Sequence, residues 1–200
     1  MPTWTWTALA VTFVAQVIAT MVMYAPAVIA SAAQADLGVS ANAVGAMTSI
    51  CYGGAVVATM ISGQAIFRFG PLRLSQISLL LIACGAFLTA TAQLPLVVVG
   101  GLFIGIGYGP LTPASSAILV KRAPLNLLAT ILSIKQSGVP VGGILAGAVI
   151  PLLIVVFSWK NAVLALGGLC MLCAFTIQPM RRELDRPDRD ADSAQKQGMM

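Results

Sequence analysis

One lysine, Lys135, lies inside an uncharged run, in the stretch SIKQSGVPVGG at residues 133–143. An ammonium in such surroundings either attracts an anion or donates hydrogen bonds to neighbouring oxygens. Other polar side chains recur at spacings that put them on one helix face. Thr12, Gln16, Thr20 and Tyr24 form one such stripe, Thr48, Tyr52, Thr59 and Ser62 a second, and Tyr108, Thr112, Ser115 and Ser116 a third. The residues best suited to hold a small polar solute are Lys135, Gln136, Gln16, Tyr24, Tyr52, Tyr108 and Thr112. They make a binding set rather than a catalytic one. The chain has no histidine, so a Ser-His arrangement is excluded, and no pair of carboxylates lies in its apolar parts for an aspartyl mechanism. A Ser-Lys pair using Lys135 is the one enzymatic arrangement left open. No catalytic residue is assigned, and the chain is read as a non-enzyme. Cys170 and Cys173 form a C-x-x-C, but with no second pair and no histidine they predict neither a metal site nor a cofactor.

The elements that must position this set are helices in lipid. Hydrophobic residues make up 58% of the chain and charged residues only 8%, where a soluble domain carries about 25% charged residues. Breaks at charges, prolines and turn residues divide it into six apolar segments, at about 6–33, 41–66, 73–92, 95–119, 125–156 and 160–180, each near the ~20 residues a spanning helix needs. The fold expected is all-α: a polytopic membrane protein whose first partner is the lipid bilayer. The first segment lacks the basic start and short apolar run of a cleavable signal peptide, and Trp4 and Trp6 suit an interfacial belt. The net charge of +5 comes from basic residues scattered singly or in pairs, not from a clustered face, so nucleic acid is not an expected partner.

Arg68 and Arg73 fall between the second and third segments, Lys121 and Arg122 between the fourth and fifth, and Arg181 and Arg182 after the sixth. The opposite connections hold only Asp36 and Lys160. By the positive-inside rule both termini are cytoplasmic, and the membrane expected is the plasma (inner) membrane. Residues 1–180 read as the transmembrane domain. Residues 181–200, rich in both charge signs, read as a polar cytoplasmic tail or the start of an interdomain linker.

Gln16, Tyr52, Tyr108 and Lys135 each fall roughly 15 to 20 Å from a segment end, near the bilayer midplane. Serine and threonine on their own often bond the carbonyl one turn back, but that habit does not account for a glutamine, two tyrosines and a lysine at one depth. An uncompensated ammonium at mid-membrane costs several kcal/mol, and no Asp or Glu lies within the six segments. The expectation is a polar cavity in which an anionic solute supplies the missing charge, with a carboxylate from another segment as the competing source. Gly101, Gly105 and Gly109, and Gly138 with Gly142, repeat every four residues and predict close helix packing. Pro110, Pro113, Pro140 and Pro151 predict bends in helices that line a cavity.

With these residues in view, the chain resembles the amino-terminal six-helix half of a major facilitator superfamily transporter over about residues 6–180. GQAIFRFGPLR at 63–73 resembles the loop signature between helices 2 and 3, with Gly63, Arg68, Phe69 and Gly70 in place and Arg73 at its end. Phe67 replaces the usual aspartate, and Pro71 and Leu72 replace basic residues. GLFIGIGYGP at 101–110 resembles the helix 4 signature through Gly105 and Gly107, but Gly101 replaces the arginine linked to proton coupling. SGVPVGG at 137–143, with Gly138, Pro140 and Gly142, is similar to the helix 5 signature. The resemblance implies secondary active transport of a small solute by alternating access against a second six-helix half. That half would come from a missing segment of a truncated transporter or from a second chain, the former being the preferred expectation. It also implies that helices 1, 2, 4 and 5 line the central cavity, the set that carries the polar stripes. The alternative from a different class is a six-helix scaffold or assembly protein that does not transport.

Overall fold

The computed structural model describes residues 3–40 and 42–178, and these contain helices and no strand. In order the helices are α1 (Thr3–Val28), α2 (Ala30–Leu37), α3 (Asn42–Phe69), α4 (Pro71–Ala90), α5 (Leu94–Arg122), α6 (Leu128–Gln136), α7 (Gly138–Val156) and α8 (Trp159–Thr176). Six spans are long and apolar enough to cross a membrane: α1, α3, α4, α5, α6 with α7 as one unit, and α8. This is the all-α, multi-pass architecture read from the sequence. The tail at 181–200, including Arg181 and Arg182, lies outside the described residues.

Two boundaries differ from the sequence reading. The first span stops at Val28, and the chain bends at Ile29 into the separate short helix α2. That helix ends on Gly38, whose left-handed backbone (φ 64°) lets its N–H reach the Gln34 carbonyl. The fifth span is also not continuous but breaks at Ser137. Pro140 explains the break, because without an N–H it cannot serve the Gln136 carbonyl. The gap is short: Ser137 N still donates to the Ser133 carbonyl at 3.0 Å and Val141 N to the Ser137 carbonyl at 3.1 Å. Pro140 thereby sits in the first turn of α7, where a missing N–H costs least.

Glycine governs how the helices meet. A β-carbon on Gly105 or Gly109 would strike the carbonyl of Cys51 or of Ala55, so α5 lies directly against the α3 backbone. On another face of α5, a β-carbon on Gly100 would come within 2.6 Å of the Gly85 carbonyl of α4. One on Gly142 would come within 2.7 Å of the Val17 carbonyl of α1. Gly138 meets α1 less tightly, at 3.3 Å from the Phe13 carbonyl and the Gln16 β-carbon. Numbering the spans one to six, the most extensive pairings are 3 with 4, 2 with 4, 3 with 6, 1 with 5, 1 with 4 and 1 with 6. Exchanging spans 1–3 with spans 4–6 maps this set onto itself, the pattern of a three-plus-three repeat. The first span is the most enclosed, 72% buried, and the fifth the least, 17% buried. Lys135 therefore reaches the interior from a peripheral helix.

Candidate solute-binding site

The first span supplies Gln16, Thr20 and Tyr24, α3 supplies Tyr52, α5 supplies Tyr108 and Thr112, and α6 supplies Lys135. Lys135 is completely buried. Its Nζ donates to the Thr112 carbonyl at 3.2 Å. The Thr112 hydroxyl in turn donates to Gln16 Oε1, also at 3.2 Å. Gln16 is completely buried too; its Nε2 meets no acceptor in hydrogen-bond geometry among the described residues, although the same side chain interacts with the Tyr108 hydroxyl. One turn further along α1, the Thr20 hydroxyl donates to the Gln16 carbonyl at 2.8 Å and lies 3.3 Å from the Tyr108 hydroxyl. Polar contacts thus run unbroken from α6 through α5 to α1 and back to α5.

The chain's three tyrosines gather on the open side of this network. Tyr108 is half-buried, whereas Tyr24 and Tyr52 are 37% and 43% exposed. Tyr52 interacts with both Tyr24 and Tyr108, so the three phenols form one patch. Gln136, beside Lys135 in sequence, is exposed and is not brought into the network by any described contact. In place of an open pocket around the lysine, the structure packs α1 and α5 over it, with the tyrosines above.

Most of the serines and threonines in the stripes satisfy themselves. Thr12, Thr20, Thr59 and Ser115 each bond the carbonyl four residues back, and Ser62 bonds the one three back. Thr112 is the exception, since its hydroxyl leaves its own helix for Gln16. The charge question stays as the sequence posed it. Asp36 is the only acidic residue among those described, and it lies in α2, ion-paired with Lys160 at 2.9 Å. The Lys160 contact, followed by the Trp159 N–H, holds the Asp36 carboxyl below its usual range. Among the described residues, Lys135 has no acid to pair with.

Two polar groupings escaped the sequence reading. Gln76, near the start of the third span, is buried and donates to the Ala174 carbonyl at 3.2 Å and to Gln178 Oε1 at 2.7 Å, tying α4 to α8. Its neighbours Ser75 and Ser78, also buried, were the available signal. The second is the Asp36 cluster, in which Trp159 Nε1 also donates to Asp36 at 3.0 Å.

In the loop signature, Gly70 joins α3 to α4 with φ 84°, a conformation that favours glycine. Gly63, Arg68 and Arg73 are exposed around it. Arg68 stacks 5.5 Å from the Phe69 ring centre, while Phe67 is 94% exposed and carries no charge for a gate to use. Among the described residues, no cluster of histidine, cysteine or carboxylate groups could hold a metal ion.

Taken as a whole, the chain matches a known family. The profile described as Major Facilitator Superfamily matches residues 12–198, and the chain belongs to that family. Similar proteins include the hexuronate transporter of Bacillus subtilis (strain 168), 28% identical over 129 residues, covering 64% of this chain and 30% of that protein. The 4-hydroxybenzoate transporter PcaK of Acinetobacter baylyi is 28% identical over 143 residues, covering 70% of this chain and 31% of its own. Plastidic glucose transporter 4 of Arabidopsis thaliana is 32% identical over 110 residues, covering 54% of this chain and 20% of its own. The chain thus spans less than a third of the length of the curated relatives it matches.

Proposed function

We propose that this chain forms one six-helix half of a secondary transporter in the plasma (inner) membrane, with both termini cytoplasmic and no catalytic role. It would move a small anionic solute by alternating access against a second six-helix half. The observation that carries the reading is the buried ammonium of Lys135, which reaches a buried polar network yet has no carboxylate among the described residues to neutralise it. Lys135 Nζ keeps donor capacity beyond its one bond to the Thr112 carbonyl, Gln16 Nε2 lies in the same network, and such donors call for an acceptor-rich ligand. The tyrosine patch offers flat, partly polar surfaces on the open side, where a solute would first arrive. The helix break at Ser137, two residues past Lys135, gives α6 a joint on which to expose the lysine. Hexuronate and 4-hydroxybenzoate, in the names of two relatives, are anions; glucose, in the third, is neutral, and the lysine favours the first two.

The test is uptake of labelled hexuronate, 4-hydroxybenzoate and glucose into vesicles containing the protein together with its second half. Lys135→Met removes a charged hydrogen bond worth about 1.5–3 kcal/mol, so anion uptake should fall about 10- to 100-fold, with partial retention in Lys135→Arg. Undiminished anion uptake by Lys135→Met overturns the reading. If Gln16, Tyr52 and Tyr108 can also be replaced without effect, the scaffold alternative takes its place.

A further inference from the structure

The Lys135 network and the tyrosine patch stand end to end along the spans. Lys135, Thr112 and Gln16 meet at one level. Tyr108 lies one turn from Thr112 on α5, a step of about 6 Å, and Tyr24 lies two turns from Gln16 on α1, about 12 Å away. Both steps run the same way, because the hydroxyl of Thr20, midway between Gln16 and Tyr24, lies 3.3 Å from the Tyr108 hydroxyl. Polarity is therefore graded, with an ammonium and an amide at one end and aromatic rings at the other.

What the rings have left to offer is their faces. The Tyr108 hydroxyl is engaged with Thr20 and with the Gln16 side chain, and the Tyr24 and Tyr52 phenols engage each other. The Tyr24 ring lies against α7, where a β-carbon on Gly143 would come within 3.4 Å of its Cε2. On the Tyr52 side, Ser49 spends its hydroxyl on the Gly45 carbonyl at 2.9 Å, and Thr48 is engaged as well. Gly53 has nothing within 4 Å of its β-carbon position, so the α3 wall is open there. Val56, one turn from Tyr52 on the same face, is 60% exposed. The next amide outward, Gln34, belongs to α2, beyond the bend at Ile29. A polyhydroxylated solute stripped of water needs a hydrogen-bond partner for each hydroxyl, and this end of the site supplies only phenols that already engage other groups. A flat apolar ring needs no such partner and stacks on the tyrosine faces.

We propose that the solute is an aromatic carboxylate, its ring stacked on the Tyr24, Tyr52 and Tyr108 patch and its carboxylate directed at Lys135 and Gln16. The inference rests on the anion reading of Lys135 given above and narrows that anion to one class. Equilibrium binding of labelled benzoate and labelled glucuronate, acids of equal charge, to the purified protein with its second half tests it. Benzoate should bind about 10-fold tighter or more, because the hydroxyls of glucuronate are left unpaired. Tyr52→Phe, which keeps the ring, should hold benzoate within about twofold of the parent, whereas Tyr52→Leu should weaken it about 3- to 10-fold, with circular dichroism confirming that both variants are folded. Glucuronate binding as tight as benzoate binding, and lost in Lys135→Met, overturns the aromatic class and leaves the anion reading standing. A loss in Tyr52→Phe as large as that in Tyr52→Leu also overturns it, since the hydroxyl and not the ring would then be the contact. Binding of both acids unchanged in Lys135→Met overturns the anion reading itself, and this inference with it.

Discussion

Replacing Gly105 by alanine should drive α3 and α5 apart, and the size of the effect follows from which atoms are in the way. The new β-carbon would strike the Cys51 carbonyl oxygen, with the Cys51 carbonyl carbon at 2.9 Å and Ala55 N at 3.1 Å. Unstrained contacts of this kind lie at about 3.5–4.0 Å. All three obstacles are backbone, so no rotamer change relieves them and the whole helix must shift. Overpacking of this sort costs about 1–3 kcal/mol, and Gly105→Ala should fall at the upper end, because parting the helices also loosens the Gly109 contact on the same face. Two controls bracket the value. At Gly101 the obstacle is the tip of Met47, with Cε at 2.6 Å and Sδ at 2.8 Å; that side chain can swing away, so Gly101→Ala should cost less than about 1 kcal/mol. At Gly147 nothing lies within 4 Å, and alanine should gain up to about 1 kcal/mol from helix propensity. Unfolding by a denaturing detergent in mixed micelles, followed by circular dichroism, gives the order Gly105, Gly101, Gly147 from most to least destabilised. If Gly105→Ala unfolds together with Gly147→Ala, the close approach of α3 to α5 is wrong and the packing argument fails with it.

Three further outcomes are expected. Gln16→Met removes a buried donor outside hydrogen-bond geometry, a state that costs about 1–3 kcal/mol, together with the Oε1 that accepts from the Thr112 hydroxyl, a bond worth about 0.5–1.5 kcal/mol; the two offset, so stability should change by no more than about 1 kcal/mol while anion uptake is lost; a large loss of stability in the same unfolding assay would make Gln16 structural instead. Ala92, in the turn between α4 and α5, has φ 56°, a conformation that costs a non-glycine residue roughly 1–2 kcal/mol, so Ala92→Gly should raise the melting temperature, and a lowered one refutes the assigned turn. Asp36 ionises more readily in the folded protein because of Lys160 and then Trp159; the Asp36 cluster is therefore fully formed above the unfolded carboxyl value of about 3.9 and is lost as pH falls through the lower folded value. The protection of the α2 amides, taken relative to their intrinsic exchange rate at each pH, should accordingly stay constant through neutral pH and fall only in acid, whereas Asp36→Asn should show reduced protection at neutral pH; a change in the parent's protection near neutrality would contradict the assigned cluster.

The spans were legible because lipid tolerates so few charges that Arg68, Arg73, Lys121 and Lys160 mark their ends almost unaided. The break at Ser137 was half legible: Pro140 announced a bend, but the missing bond falls at the carbonyl four residues earlier, which is where the helix parts. Asp36 and Lys160 were read only as rare charges on the sparse side, because a pairing across most of the chain leaves no local pattern. The polar stripes were the hardest to interpret. Periodicity says which side chains must avoid lipid, and a helix has two ways to comply, by facing water or by facing another helix. Thr12, Thr59 and Ser115 chose a third, bonding their own turn, and so carried no information about a cavity. Gln16, Thr112 and Lys135 face one another across three helices, and depth alone could not distinguish that from a shared opening. An arrangement that encloses its only mid-span cation suits a protein that must hide the charge in one state and present it in another. In that sense the enclosed lysine is a stronger argument for a moving bundle than an open one would have been.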